Sequence, residues 1–85
     1  MVEVVVQSIL AAQAGGRDRF ALEADTVGDA LHALPVADLL FDEVGDLRRH
    51  LNVYMDGTDI REQGGLSCPL GDARELRVVA MVSGG

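Results

Sequence analysis

The chain begins and ends on valine-rich runs, and these constrain its fold more than anything between them. The first is Met1-Val2-Glu3-Val4-Val5-Val6-Gln7-Ser8, the last Glu75-Leu76-Arg77-Val78-Val79-Ala80-Met81-Val82. β-Branched side chains are stiff and pack well on a pleated surface. Strand alternation places Val2, Val4 and Val6 on one face, with Glu3, Val5 and Gln7 on the other. In the last run Leu76, Val78, Ala80 and Val82 form the inward face. A chain of 85 residues removes only about 60% of its unfolded surface on folding, enough for one modest core. Two apolar strands are therefore expected side by side at the centre of one sheet, each with both faces partly covered.

The middle of the chain supplies cover and edges. Gly15-Gly16 marks a turn region after Ala11 to Ala14, and Arg17 to Ala24 reads as a second strand with Phe20 and Leu22 inward, so a hairpin is expected to open the fold. Thr26 is a good N-cap for a short helix, with Asp29 placed to complete a capping box. Val27, Ala30, Leu31 and Leu34 then make one apolar stripe, which Pro35 should end. Ala37 to Asp46 fits either a turn of helix or a packed loop. His50 to Met55 alternates, with Leu51, Val53 and Met55 inward and Asn52 and Tyr54 outward. Asp56-Gly57 is a strong hairpin-turn signal, and Thr58 to Arg61 reads as a brief return strand. Gln63 to Arg74 reads as a loop. The expected architecture is α+β, one main helix on one face of a mixed sheet: the β-grasp, or ubiquitin-like, roll. Residues 1–82 make the domain and Ser83-Gly84-Gly85 a flexible tail.

Composition excludes several functions. No apolar run approaches the roughly 18 residues of a spanning helix. No basic segment precedes an apolar stretch and a cleavage site, so no export signal is expected and the location should be cytoplasmic. Seven basic residues against fourteen acidic ones give a net charge of −7, which argues against nucleic acid or an anionic membrane as partner. One cysteine, Cys68, forms no internal disulfide, and with His32 and His50 it shows no metal-ligand spacing. Cys68 precedes Pro69 without a basic neighbour, so it is read as a packed or half-exposed thiol. Gly64-Gly65 is read as a turn, because no phosphate-loop lysine or hydroxyl follows it. All seven basic residues are arginine. A genome that favours arginine codons would account for that; the functional reading is that the chain carries no side-chain amine to capture an activated acyl group.

The strand order with Gly84-Gly85 at its end resembles the small sulfur carriers of the thiazole-biosynthesis and molybdopterin-synthase small-subunit family. Leu51-Asn52-Val53-Tyr54-Met55-Asp56-Gly57, Asp59-Ile60-Arg61 and Gly64-Gly65-Leu66 are most similar to the actinobacterial carriers that supply sulfur for cysteine biosynthesis. Met81-Val82-Ser83 stands where many members have proline and valine, which leaves open the activating enzyme. Asp72-Ala73-Arg74 replaces an acidic-Gly-acidic turn.

The resemblance implies that Gly85 is the reacting group and Gly84 its partner in an extended tail. An E1-like enzyme would adenylate the Gly85 carboxylate with ATP, a sulfur donor would convert it to a thiocarboxylate, and a biosynthetic enzyme would accept the sulfur. The acceptor could make cysteine, thiazole, molybdopterin, a thiosugar or another metabolite. The carrier supplies no catalytic residue, no metal and no bound cofactor, and is expected to be a monomer alone. Val5, Tyr54, Val79 and Met81 on the outer sheet face, with Arg77 at its edge and Val82 and Ser83 leading into the tail, are the expected docking residues. Ordering four tail residues costs about 4–8 kcal/mol, which burial of about 400 Å² of apolar surface offsets. Two other classes share these features: a modifier conjugated to lysines, and a non-covalent ubiquitin-like binding module.

Overall fold

The computed structural model describes residues 1–80, and of Ser8 and Ile9 the backbone alone. The five strands are β1 (Val2–Val6), β2 (Arg19–Leu22), β3 (Leu51–Met55), β4 (Thr58–Asp59) and β5 (Glu75–Ala80); the helices are α1 (Ser8–Gln13), α2 (Val27–His32) and α3 (Ala37–Leu40). The strands form one mixed sheet in the order β2-β1-β5-β3-β4. The two valine-rich strands are neighbours and parallel, with Val4 opposite Leu76 and Val6 opposite Val78. The other pairings are antiparallel. This is the expected α+β, β-grasp arrangement.

The core lies between the sheet and the helices. Val4, Val27, Leu31, Leu40, Val53, Leu76 and Val78 are almost wholly buried there. Helix α2 contributes Val27, Ala30 and Leu31 of the expected stripe, all buried; Leu34 is buried too but lies beyond the C-cap Ala33, so the helix ends short of the expected limit at Pro35. Its Thr26 hydroxyl accepts the Asp29 amide at 3.2 Å. The reciprocal half of a capping box is not formed among the described residues, since Asp29 makes no side-chain bond to the Thr26 amide. Gly28 faces the turn at Gly65–Ser67 so closely that a Cβ there would sit 3.1 Å from the Leu66 carbonyl oxygen. Asp56 (φ 49°) and Gly57 (φ 90°) make the expected tight turn between β3 and β4.

Three local readings change. The β1–β2 connection contains a helix, α1, where a plain turn was expected. Leu10 and Ala11 bury against the core, and the run of leucine and alanine favours helix. Gly15 takes a positive φ of 75°, and the Gly16 amide returns to the Ala11 carbonyl at 2.8 Å, a Schellman closure. Residues 37–40 resolve as a turn of helix. The return strand is only two residues long, because at Ile60 the chain turns into a 3-10 segment, Ile60–Gln63, capped by the Asp59 carboxylate.

Candidate functional site: the outer sheet face and the end of strand β5

Strand β5 is central, and its far end delivers the chain to residues 81–85. Met81, Val82, Ser83, Gly84 and Gly85, all expected in the site, lie outside the described residues. Val5, Tyr54, Arg77 and Val79 can be placed, and all four lie on the face opposite the helices. The register runs Arg19–Val5–Arg77–Tyr54–Asp59 across the five strands, and Val79 faces Asn52 one step along.

Two details differ from expectation. Arg77 does not flank the patch; it sits at the middle of the row, between Val5 and Tyr54, because β5 lies between β1 and β3. Val5 is only 8% exposed. Its neighbours across the register are Arg19 and Arg77, whose aliphatic stems can cover a small side chain while their charged heads stay in water. Tyr54 and Val79 are half-buried and Arg77 is exposed. Of these four residues, Tyr54 and Val79 supply accessible apolar surface, with the Arg77 guanidinium set between them and 3.3 Å from Glu75.

The electrostatics of the row are built from short-range pairs. Arg19 meets Glu3 at 2.6 Å. Arg61 donates to both carboxylate oxygens of Asp59 and to the side-chain oxygen of Asn52. Hydrogen bonding from the Arg61 side chain, joined by its backbone amide, holds the Asp59 carboxyl below the usual aspartate value, and Asp59 in turn raises Arg61. The Asp59-Ile60-Arg61 motif thus turns the chain out of β4 and ties β4 to β3 through Asn52.

Sequence reasoning missed one residue at the exit of β5. In a parallel ladder Gln7 would make two bonds to β5, donating to the Val78 carbonyl and accepting the Ala80 amide, one on each side of Val79. The first forms, from the Gln7 amide to the Val78 carbonyl at 3.2 Å. The second cannot use the Gln7 carbonyl, which accepts the Ala11 amide at 2.8 Å to start α1. The Gln7 side-chain oxygen takes its place and accepts the Ala80 amide at 2.7 Å. The signal available was a glutamine at the strand-to-helix junction; without knowing that α1 exists, it reads as one more polar residue on the outer face.

The remaining candidates stand apart from this face. Cys68 is buried, its thiol directed at the Pro69 carbonyl at 3.4 Å. His32 is exposed and stacks on Phe41 with ring centres 3.9 Å apart. Gly64 and Gly65 are both left-handed turn residues. Among the described residues no helix is long and apolar enough to cross a membrane.

A sheet with two parallel central strands, a short helix packed beneath it and a C-terminal strand leading to a diglycine defines a ubiquitin-like β-grasp protein. No protein-family model matches the chain. The sulfur carrier protein CysO of Mycobacterium tuberculosis is 29% identical over 91 residues, spanning 99% of this chain and 98% of that protein. Its crystal structure matches with a TM-score of 0.84 at 27% identity, over 96% of this chain and 100% of the other. A chain of the Amycolatopsis orientalis BexX/CysO complex matches with a TM-score of 0.82 at 27% identity, over 100% of both. SAMP1 of Haloferax volcanii, a small archaeal modifier protein, is 34% identical with a TM-score of 0.75, over 99% of this chain and 98% of that one. The chain belongs to the ubiquitin-like sulfur-carrier family, of the thiazole-carrier and molybdopterin-synthase small-subunit type, and within it is similar to the CysO carriers.

Proposed function

We propose that this protein carries sulfur as a thiocarboxylate on Gly85. The carrying observation is a full-length match to CysO in both sequence and fold, on a chain whose central strand β5 leads to Gly84-Gly85. A carboxylate is a poor electrophile because its charge is delocalised. An E1-like partner would let a Gly85 oxygen attack the α-phosphorus of ATP, releasing pyrophosphate and leaving a mixed anhydride with AMP. Sulfide, free or delivered by a sulfurtransferase, would then add at the carbonyl carbon and expel AMP. The thiocarboxylate would hand its sulfur to a biosynthetic enzyme, with cysteine synthesis the leading acceptor. ATP is the partner's substrate, and the carrier is a co-substrate whose catalytic groups belong to its partners. Two glycines let the tail pass a narrow channel without Cβ clashes. The outer face, with Tyr54, Val79 and Arg77, docks the activating enzyme and the acceptor. A single buried thiol and the activating chemistry both fit the cytoplasm.

The likeness to SAMP1 supports a second reading, conjugation of Gly85 to lysines of other proteins. Intact mass after incubation with ATP, sulfide and an E1-like enzyme separates the two. Exchange of one oxygen for sulfur is expected, and Gly85→Ala should abolish it while leaving thermal unfolding unchanged. Adducts on other proteins, with no sulfur gained, would replace the carrier reading by the modifier one.

A further inference from the structure

We infer that Gln7 is a positioning residue that holds β5 at Ala80, five residues before Gly85; this rests on the Gly85 reading above. The backbone carbonyl of Gln7 is committed to α1 through the Ala11 amide, so the β1–β5 ladder would stop at the Val78 carbonyl. The side-chain oxygen of Gln7 extends it by one bond, to the Ala80 amide at 2.7 Å. Ala80 is also opposite Leu51 on β3, so the clamp holds β5 from the β1 side at the last described residue.

The chemistry explains why glutamine suits this place. The acceptor must reach from a strand end back across to the neighbouring strand, which needs a side chain of this length ending in an oxygen. Asparagine is one methylene too short, and methionine has the length but no strong acceptor. Glutamate keeps length and acceptor. Gln7 is exposed and outside the hydrophobic core, so replacing it leaves the packing in place while releasing Ala80. A tail starting from a released Ala80 has one more residue to order in the channel of the activating enzyme, a loss expected in binding rather than in the chemical step.

The test compares full-length wild type, Gln7→Met and Gln7→Glu. Amide hydrogen exchange at Ala80 is followed by NMR, and ATP–pyrophosphate exchange is measured with an E1-like activating enzyme. In Gln7→Met, Ala80 exchange should quicken and the KM for the carrier rise by about tenfold, the effect of freeing one backbone residue, with kcat and thermal unfolding unchanged. Gln7→Glu should restore both. Unchanged Ala80 exchange in Gln7→Met, or quicker exchange with an unchanged KM, overturns the positioning role. If the wild-type chain supports no exchange with any activating enzyme, the Gly85 reading falls and the positioning role falls with it. Ala80 exchange still responding to Gln7→Met would identify that case, since the clamp is then real and the chemistry absent.

Discussion

Asp56 and Glu75 are bonded in both directions: the Asp56 amide donates to the Glu75 carbonyl at 3.0 Å, and the Asp56 carboxylate accepts the Glu75 amide at 2.9 Å. The same carboxylate accepts the Arg74 amide at 3.1 Å. One turn residue therefore closes the β3–β4 hairpin and fixes the start of β5, whose other end leads to the tail. Asp56→Ala removes both acceptors and leaves alanine at a φ of 49°. A loss of about 2–3 kcal/mol is expected by urea unfolding. Asn at this position keeps one oxygen and tolerates the left-handed conformation, so Asp56→Asn should cost less than about 1 kcal/mol.

Gly28 sits inside α2, where glycine is a poor helix former, and the reason is across the interface. A Cβ at this position would lie 3.1 Å from a backbone oxygen, that of Leu66, which cannot swing away as a side-chain end would. Alanine gains about 1 kcal/mol of helix propensity and meets a contact of similar size, so Gly28→Ala should shift stability by less than about 1 kcal/mol. Gly28→Val has no such gain and adds two methyl groups, and about 2–3 kcal/mol should be lost. Chemical denaturation of the pair measures the order.

The Arg61–Asp59 pair supplies a pH signature. Arg61 holds the Asp59 carboxyl below its ordinary value, chiefly by side-chain hydrogen bonding. A carboxyl depressed in the folded state adds stability that is present above its unfolded value and is lost as pH falls through the folded one. Asp59 should thus titrate below the ordinary aspartate value in an NMR titration, and Arg61→Ala should raise it part of the way back, since the residue 61 amide still donates to the carboxylate. Surface pairs contribute little net stability, so the unfolding midpoint at neutral pH should scarcely move.

What was legible in the sequence is what local chemistry decides. The valine alternation located β1 and β5, Thr26 and the stripe Val27, Ala30, Leu31 and Leu34 located α2, and Asp56-Gly57 located the hairpin turn. The features that escaped depend on which elements become neighbours. Alternation alone puts Val5 and Arg77 on the outer face; only the strand order β2-β1-β5-β3-β4 makes Arg77 central and places Val5 between two arginines. Gly28 looks unfavourable until the turn carrying Leu66 packs on it. Gln7 has its role because α1 occupies its carbonyl, and α1 was hidden by a short run that Gly15-Gly16 made look like a turn. The Gly85 assignment came from resemblance to a family rather than from periodicity.

The outer face can be tested for docking at positions where the fold does not depend on the side chain. Val5 is unsuitable: at 8% exposure, Val5→Asp would bury a carboxylate, destabilise the sheet and lower activity whatever the face does. Val79 is half-buried on the same face and lies opposite Asn52, so an aspartate there can keep its charge in water. Its effect on a partner is larger, because a carboxylate pressed into an apolar contact must be desolvated without a counter-charge. Val79→Asp is therefore expected to raise the KM for the carrier in adenylation by about tenfold or more, with the thermal midpoint little changed. Tyr54→Ala, which removes the aromatic surface beside Arg77, should act in the same direction. Arg77→Glu tests the charge at the centre of the row, and its effect should weaken as salt is raised. If Val79→Asp and Tyr54→Ala are both adenylated with wild-type kinetics, this face does not meet the activating enzyme, and docking must be assigned to another surface.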